Sequence, residues 1–296
     1  MSAAEFAHPP RDDLSFAAFI DSLPDVLAAR DFRAIVGAVV HAARAKRGVV
    51  VMLGGHVVKT GLAPLVIDLM RRRVITHVAM NGSGAIHDYE MARFGATSED
   101  VAAGLKDGTF GMSDETGREM NDAFVRGMES GHGMGETLGR ALDAHTDLAS
   151  PELSILLEAF RLGVTVTVHA AIGAEIIHQH PAARGAAIGD TSHRDFRRLA
   201  AALSTIDDGG VVLNIGSAVI MPEGFLKALT IARNLHAGRP QNFVAVDLDM
   251  QRHYRPLMNV VQRPTLQSGK GYQLTGHHEI MVPLLAWSIV DRLSRD

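Results

Sequence analysis

The chain has 296 residues, 47% apolar and 21% charged, with a net charge of −4. That composition suits a globular protein with a sizeable core, and the near-balance of charge argues against a dominant attraction to nucleic acid or to an anionic membrane. With no cysteine in the sequence, structural disulfides, thiolate nucleophiles and cysteine-ligated zinc are excluded.

The opening stretch, MSAAEFAHPPRDDLSF, has no basic segment followed by an apolar core. No apolar run approaches the ~20 residues that span a bilayer. The expectation is a cytoplasmic protein with neither a membrane nor a nucleic acid as partner. Residues 1–14 read as an extended polar arm carrying Pro9-Pro10. FAAFIDSLPDVL and DFRAIVGAVVHAARAKR follow at helical spacing. Residues 1–46 are therefore expected to form an arm and helices, and 47–296 a single domain.

From residue 48 the pattern changes. GVVVML (48–53) is apolar throughout, as in a strand buried on both faces of a parallel sheet. LAPLVIDLMRRR is helical, VITHVAM (74–80) is a strand, and AIHDYEMARFG begins a helix. Thr97 with Asp100 three residues on reads as a capping box opening the next helix. Residues 113–162 are mostly helical. Three more strands are expected: VTVTVHAA (164–171), the run within 209–219, and NFVAVDLDM (242–250) as the last. Helices separate them, and EIMVPLLAWSIVDRLSR closes the chain. Strands alternating with helices predict an α/β fold, Rossmann-like, with a largely parallel sheet flanked by helices.

Three strand ends share a composition: LGGHVVKTG, MNGSGA and NIGSA. Glycine lets main-chain N–H groups come close to phosphate, and a helix N-terminus adds unpaired donors. A dinucleotide is the commonest ligand that needs several such turns, although neither G-x-G-x-x-G nor a P-loop is complete here. The residues expected to bind it are Gly54, Gly55, Thr60, Asn81, Gly82, Ser83, Gly84, Asn214, Gly216 and Ser217. Asp247, at an expected strand end, is the candidate for a ribose hydroxyl.

Ionisable groups cluster at the same turns. His87, Asp88 and Glu90 follow the second strand. The bland reading gives the two acids to the helix dipole and His87 to a cap. His169, His178 and His180 with Glu175 surround a loop after the third strand, and His277, His278 and Glu279 open the closing helix. A metal site on His178, His180, His278 and Glu279 is one reading. Without a short ligand pair such as H-E-x-x-H, acid–base chemistry is the more economical one, and no metal is expected.

VVMLGGHVVKTGLAPLVIDLMRRRVITHVAMNGSGAIHDYEMARFG, VTVHAAIGAEIIHQHP and GGVVLNIGSAVIMPEGFLKAL occur in the order of the corresponding stretches of the deoxyhypusine synthase family, which the chain resembles from about residue 48 to 293. Thr60-Gly61, His87-Asp88-Tyr89-Glu90 and Thr97-Ser98 also resemble the NAD-binding domain of archaeal ornithine cyclodeaminases. The first resemblance implies a Rossmann-like NAD-binding sheet, a homotetramer with sites between subunits, and hydride transfer from a polyamine to NAD. It places His180 at an active-site histidine and Glu175 near its acidic neighbour. Met221 stands where the family's phrase closes on lysine, so the imine-forming lysine is expected to be absent. Both families oxidise a carbon that bears an amine.

The resulting expectation is NAD-dependent oxidation of a small amine, amino acid or polyamine to an imine. Glu90, Glu175 and Asp190 would hold the cationic amine. His180 or His87 would accept its proton, and Lys59 would grip a phosphate or a substrate carboxylate. The alternatives are a metal-dependent hydrolase and a non-catalytic NAD-binding protein.

Overall fold

The computed structural model describes residues 5–10 and 12–295. Residues 1–4 and Arg11 of the expected arm lie outside the described residues. Helix α1 (Phe16–Ser22) is opened by the Ser15 hydroxyl, which accepts from the Ala18 N–H. It ends before Pro24, because the residue preceding a proline is driven out of helical geometry; Leu23 is extended, with ψ 148°. Helix α2 (Leu27–Arg44) buries Phe32, Ile35, Val36, Val39, Val40 and Ala42 along one face.

Six strands follow: β1 (Val49–Leu53), β2 (His77–Asn81), β3 (Thr165–His169), β4 (Val211–Ile215), β5 (Val244–Asp249) and β6 (Lys270–Thr275). They form one sheet in the order β3-β2-β1-β4-β5-β6, and every pairing is parallel. The continuous apolar run of β1 has a direct cause. Val49, Val51 and Leu53 face one core, while Val50 and Met52 face the other. Strand β6 was not anticipated. It is an edge strand written KGYQLT, with only Leu274 buried, so it lacks the apolar signature of the central strands. β5 is therefore not the last strand.

Helices α3 (Gly55–Lys59) and α4 (Ala63–Arg71) join β1 to β2. Helices α5 (Gly82–Phe94), α6 (Val101–Asp107), α7 (Asp114–Ser130), α8 (Met134–Asp143) and α9 (Ile155–Leu162) join β2 to β3. Their buried side chains belong to the first core, together with α2. After β3 the chain changes face. Helix α10 (Gly185–Ala202), the turn after it and α11 (Ile220–Leu235) pack Leu199, Leu203, Phe225 and Leu229 into the second core. A short turn, α12 (Tyr254–Pro256), continues as a π-helical segment to Gln262. Helix α13 (His278–Ser294) returns to the first face. No described helix is long and apolar enough to cross a membrane.

Two local expectations change. The capping box at Thr97 does not form. Asp100 alone caps α6, accepting from the Ala103 N–H at 3.0 Å, and α6 begins at Val101. Helix α10 also starts ten residues before the Asp195 at which the periodic pattern becomes legible, because its first turns read GAAIGDTSHR and expose glycine and polar groups.

Two buried carboxyls tie the helices to this frame. Asp88 accepts from the Ser154 hydroxyl at 2.6 Å and from the N–H groups of Ile155 and Leu156 at 2.7 and 3.0 Å. It thus caps α9 from another helix rather than complementing the dipole of its own. Burial pushes its pKa up to about 6, against the opposing pull of those donors. Asp195 accepts from Gly135 and Val168 N–H, both at 2.8 Å, and joins α10 to α8 and β3. Asp88→Ala strands a hydroxyl and two N–H groups in the core. It is expected to lower the unfolding free energy by roughly 2–4 kcal/mol in urea titrations. Removing the exposed cap with Asp100→Ala is expected to cost less, about 0.5–2 kcal/mol.

Candidate functional site

In an open parallel sheet the crevice lies beyond the carboxyl ends of the strands, where helices leave for opposite faces. Here that point is between β1 and β4. The turns after these strands touch. A Cβ on Gly54 would lie 1.9 Å from the Gly216 carbonyl oxygen, and one on Gly55 would lie 2.5 Å from Ser83 Oγ. Gly216 itself has φ +68°, and its Cα faces the His278 ring. Glycine is therefore required here by one turn packing on the next.

His278 is completely buried, yet neither ring nitrogen has a well-aligned hydrogen-bond partner. Its Nε2 lies 3.9 Å from Asp249 Oδ1, and its ring is 5.6 Å from that of His56. Burial holds its pKa below the ordinary value, so it is a neutral imidazole with unspent hydrogen-bonding capacity. Asp249 ends β5 beside it. Asp247, the expected ribose partner, is two residues inside the strand. Its carboxylate is taken by Asn214 Nδ2 at 2.8 Å and Gln273 Nε2 at 3.0 Å. Asn214 is thereby also committed to the sheet interior.

The second turn is filled from within. Asn81 Oδ1 accepts the Gly84 N–H at 3.0 Å. The Glu175 carboxylate lies over Gly82, where a Cβ would come within 2.3 Å of its carbon. Glu175 Oε1 also accepts the Ala171 N–H at 2.8 Å. Burial raises the Glu175 pKa to about 7, although the N–H groups of Ala171 and Gly82 pull it down. His178 Nε2 stands 3.0 Å from Glu175 Oε2. Because His178 Nδ1 accepts the Gly173 N–H at 3.1 Å, the proton of the neutral ring belongs on Nε2, facing the carboxylate. That N–H is off the line to the oxygen, so Oε2 has no aligned donor.

Beside this turn is a cavity of about 200 Å³ whose walls include Lys59, Ser83, His87, Glu90, Glu99 and Glu175. A hollow of about 550 Å³ near the N-terminus lies between the arm, α1 and Arg295, and no strand end reaches it. Lys59 is exposed and makes no ion pair among the described residues. Glu90 accepts from the hydroxyls of Thr97 and Thr116. Since Thr97 gives its only proton to Glu90, it must accept from His87 Nδ1, 2.7 Å away. That leaves His87 Nε2 as a free acceptor. Burial and then Lys59 hold the His87 pKa below its ordinary value, so the ring is neutral.

Other expected residues go elsewhere. His180 pairs with Asp114 at 3.2 Å and packs against Gly117. Asp190 is held by Arg194 one turn along α10. Thr60 Oγ1 donates to the His56 carbonyl. Ser217 Oγ accepts from Met221 N–H, and Met221 is completely buried. The four proposed metal ligands do not converge. His178 faces Glu175, His180 faces Asp114, His278 faces Asp249, and Glu279 lies 3.6 Å from His277. Among the described residues no three His, Cys, Asp or Glu side chains are placed to share a metal. Sequence reasoning missed Asp249, Glu99 and the Thr97 relay. Only Asp249 had a visible signal, as the final acid of the apolar run VAVDLD.

The sequence matches no protein-family model and no curated protein. The fold is shared with solved structures. AgrE, determined as a ternary complex with ornithine and NAD+, superposes with a TM-score of 0.55 at 14% identity, over 92% of this chain and 35% of that one. A Methanococcus maripaludis S2 protein ascribed to the LOR/SDH group gives 0.52 at 16% identity, over 97% and 74%. An Entamoeba histolytica protein ascribed to deoxyhypusine synthase gives 0.53 at 10% identity, over 94% of each chain. The chain thus spans about a third of AgrE. At these identities the likeness establishes the Rossmann-like fold, one member of which holds NAD+ and ornithine.

The packing of the turns makes a testable contrast. Gly54→Ala forces a methyl group into the Gly216 carbonyl and is expected to cost about 1–3 kcal/mol in chemical denaturation. Gly185→Ala, at a helical position with open space around the new Cβ, is expected to be neutral or to stabilise by about 0.4–1 kcal/mol.

Proposed function

We propose that the chain binds NAD across the carboxyl ends of β1 and β4 and oxidises the amine-bearing carbon of a small amino acid or polyamine to an imine. The observation that carries this reading is the cavity beside Ser83. It is lined by Glu90, Glu99 and Glu175, by Lys59 and by the neutral His87, whose Nδ1 is held by Thr97. Carboxylates suit an ammonium group, and a lone lysine suits a carboxylate. The acid–base group has an open nitrogen and a pKa that keeps it neutral.

The residues at the switch point fit a dinucleotide in part. Gly216, Ser217 and Ser83 would hold it, and Asp249 at the end of β5 would meet its polar groups. The N-terminus of α5 fits less well, because Asn81 and Glu175 already take its donors. When bound, NAD supplies the hydride acceptor. His87 Nε2 takes the proton of the amine, and Thr97 and Glu90 fix the tautomer that keeps this nitrogen open. Lys59 selects amino acids over simple polyamines.

Two outcomes follow. With NAD+ present, Lys59→Met is expected to weaken ornithine about tenfold by calorimetry while leaving spermidine unchanged or tighter. Equal losses for both would remove Lys59 from the carboxylate role. Because Glu175 is neutral below its raised pKa and ionised above it, amine affinity is expected to climb as pH rises through about 7. In Glu175→Gln that rise is expected to vanish.

A further inference from the structure

Between the second half of α7 and helix α8 lies a groove of about 420 Å³ that shares no residue with the cavity described above. Its polar lining is Arg126, Ser130, His132, Thr137, Arg140 and His145, and no acidic side chain lines it. The small residues Gly127, Ala141 and Ala144 keep its floor low.

The donors in this groove exceed the acceptors. Arg126 is exposed and forms no ion pair or hydrogen bond among the described residues. Arg140 gives Nε and Nη2 to a single oxygen, Glu136 Oε1, at 3.0 and 2.8 Å, and its guanidinium rests 5.1 Å from the centre of the Phe160 ring. That contact orients the fork and leaves its outer N–H groups uncommitted. His132 Nε2 approaches Glu136 only to 3.6 Å. His145 approaches Glu119 and Asp147 only to 3.8 and 3.7 Å. Each of these distances is too long for a hydrogen bond.

Thr137 is the decisive group. The residue is 5% exposed, and its hydroxyl is buried with no partner. A helical threonine ordinarily returns its proton to the carbonyl one turn back. Here the oxygen is turned to α7 instead, where Gly127 makes room: a Cβ at that position would lie 2.2 Å from it. A buried orphan hydroxyl costs about 1–3 kcal/mol unless something satisfies it.

We propose that this groove is an anion site for a phosphoryl group, held by Arg126, Arg140 and the Thr137 hydroxyl, with His132 and His145 at its rim. A phosphoryl group is anionic at neutral pH and rich in acceptor oxygens, so it can take several of the open donors at once. The site stands apart from the amine reading and does not depend on it.

The test is titration of the full chain with inorganic phosphate and, separately, with adenosine monophosphate, followed by phosphorus NMR at fixed ionic strength. Saturable binding is expected for both. Arg126→Ala, an exposed change that leaves the fold intact, is expected to weaken it about tenfold, and the near-isosteric Thr137→Val about three- to tenfold. Tighter binding of the monoester would identify a phosphorylated metabolite as the ligand, and equal binding would identify free phosphate; either supports the site. Absence of saturable binding would overturn the proposal. So would binding that neither variant weakens, which would place the anion elsewhere on the chain.

Discussion

The contact of Gly54 with the Gly216 carbonyl sets the geometry of this molecule. Two strands that are neighbours in the sheet send their helices to opposite faces, and the turns that follow them must pass within van der Waals contact. Only a residue without Cβ permits this. From that contact the rest of the mouth follows. Gly55 draws in the start of α5, Gly216 rests on the His278 ring, and the buried imidazole is left without a well-aligned partner.

Burial then decides the chemistry. Asp88 has donors on both oxygens and caps a helix, while Asp195 takes two N–H groups on one oxygen and ties α10 to α8 and β3. Glu175 and Asp195 each keep one oxygen without an aligned donor, and burial raises the pKa of both to about 7, but Glu175 lines the cavity and Asp195 does not. His87 is kept neutral and given a fixed tautomer by a threonine that has only one proton to donate. Acids that look alike in the sequence therefore divide into structural and reactive groups according to whether they face the cavity or the interior of the fold.

The fold was largely legible because the central strands carry its signature. A five-residue run of buried valine, methionine and leucine such as β1 cannot face water on either side, and further β-branched runs separated by helical periods imply a parallel sheet. The edge strand Lys270–Thr275 has only one buried residue and gave no such signal. The site was legible in part. Lys59, Ser83, His87, Glu90 and Glu175 come together because all lie within a few residues of a strand end. His180 and Asp190 lie further along the chain after β3 and turn away, held by Asp114 and Arg194. Spacing along the chain cannot show which neighbour captures a side chain. Asp247 failed for a related reason: two residues of strand separate the sheet interior from its mouth, and Asp249 holds the outer place.

The central claim is that the mouth of the sheet holds a dinucleotide. Native mass spectrometry of the freshly purified protein, followed by mass analysis of what denaturation releases, tests it most directly. The account predicts one species of dinucleotide mass per chain, retained or regained when NAD+ is added. A chain that carries no such species and shows no mass shift with added NAD+ would contradict it.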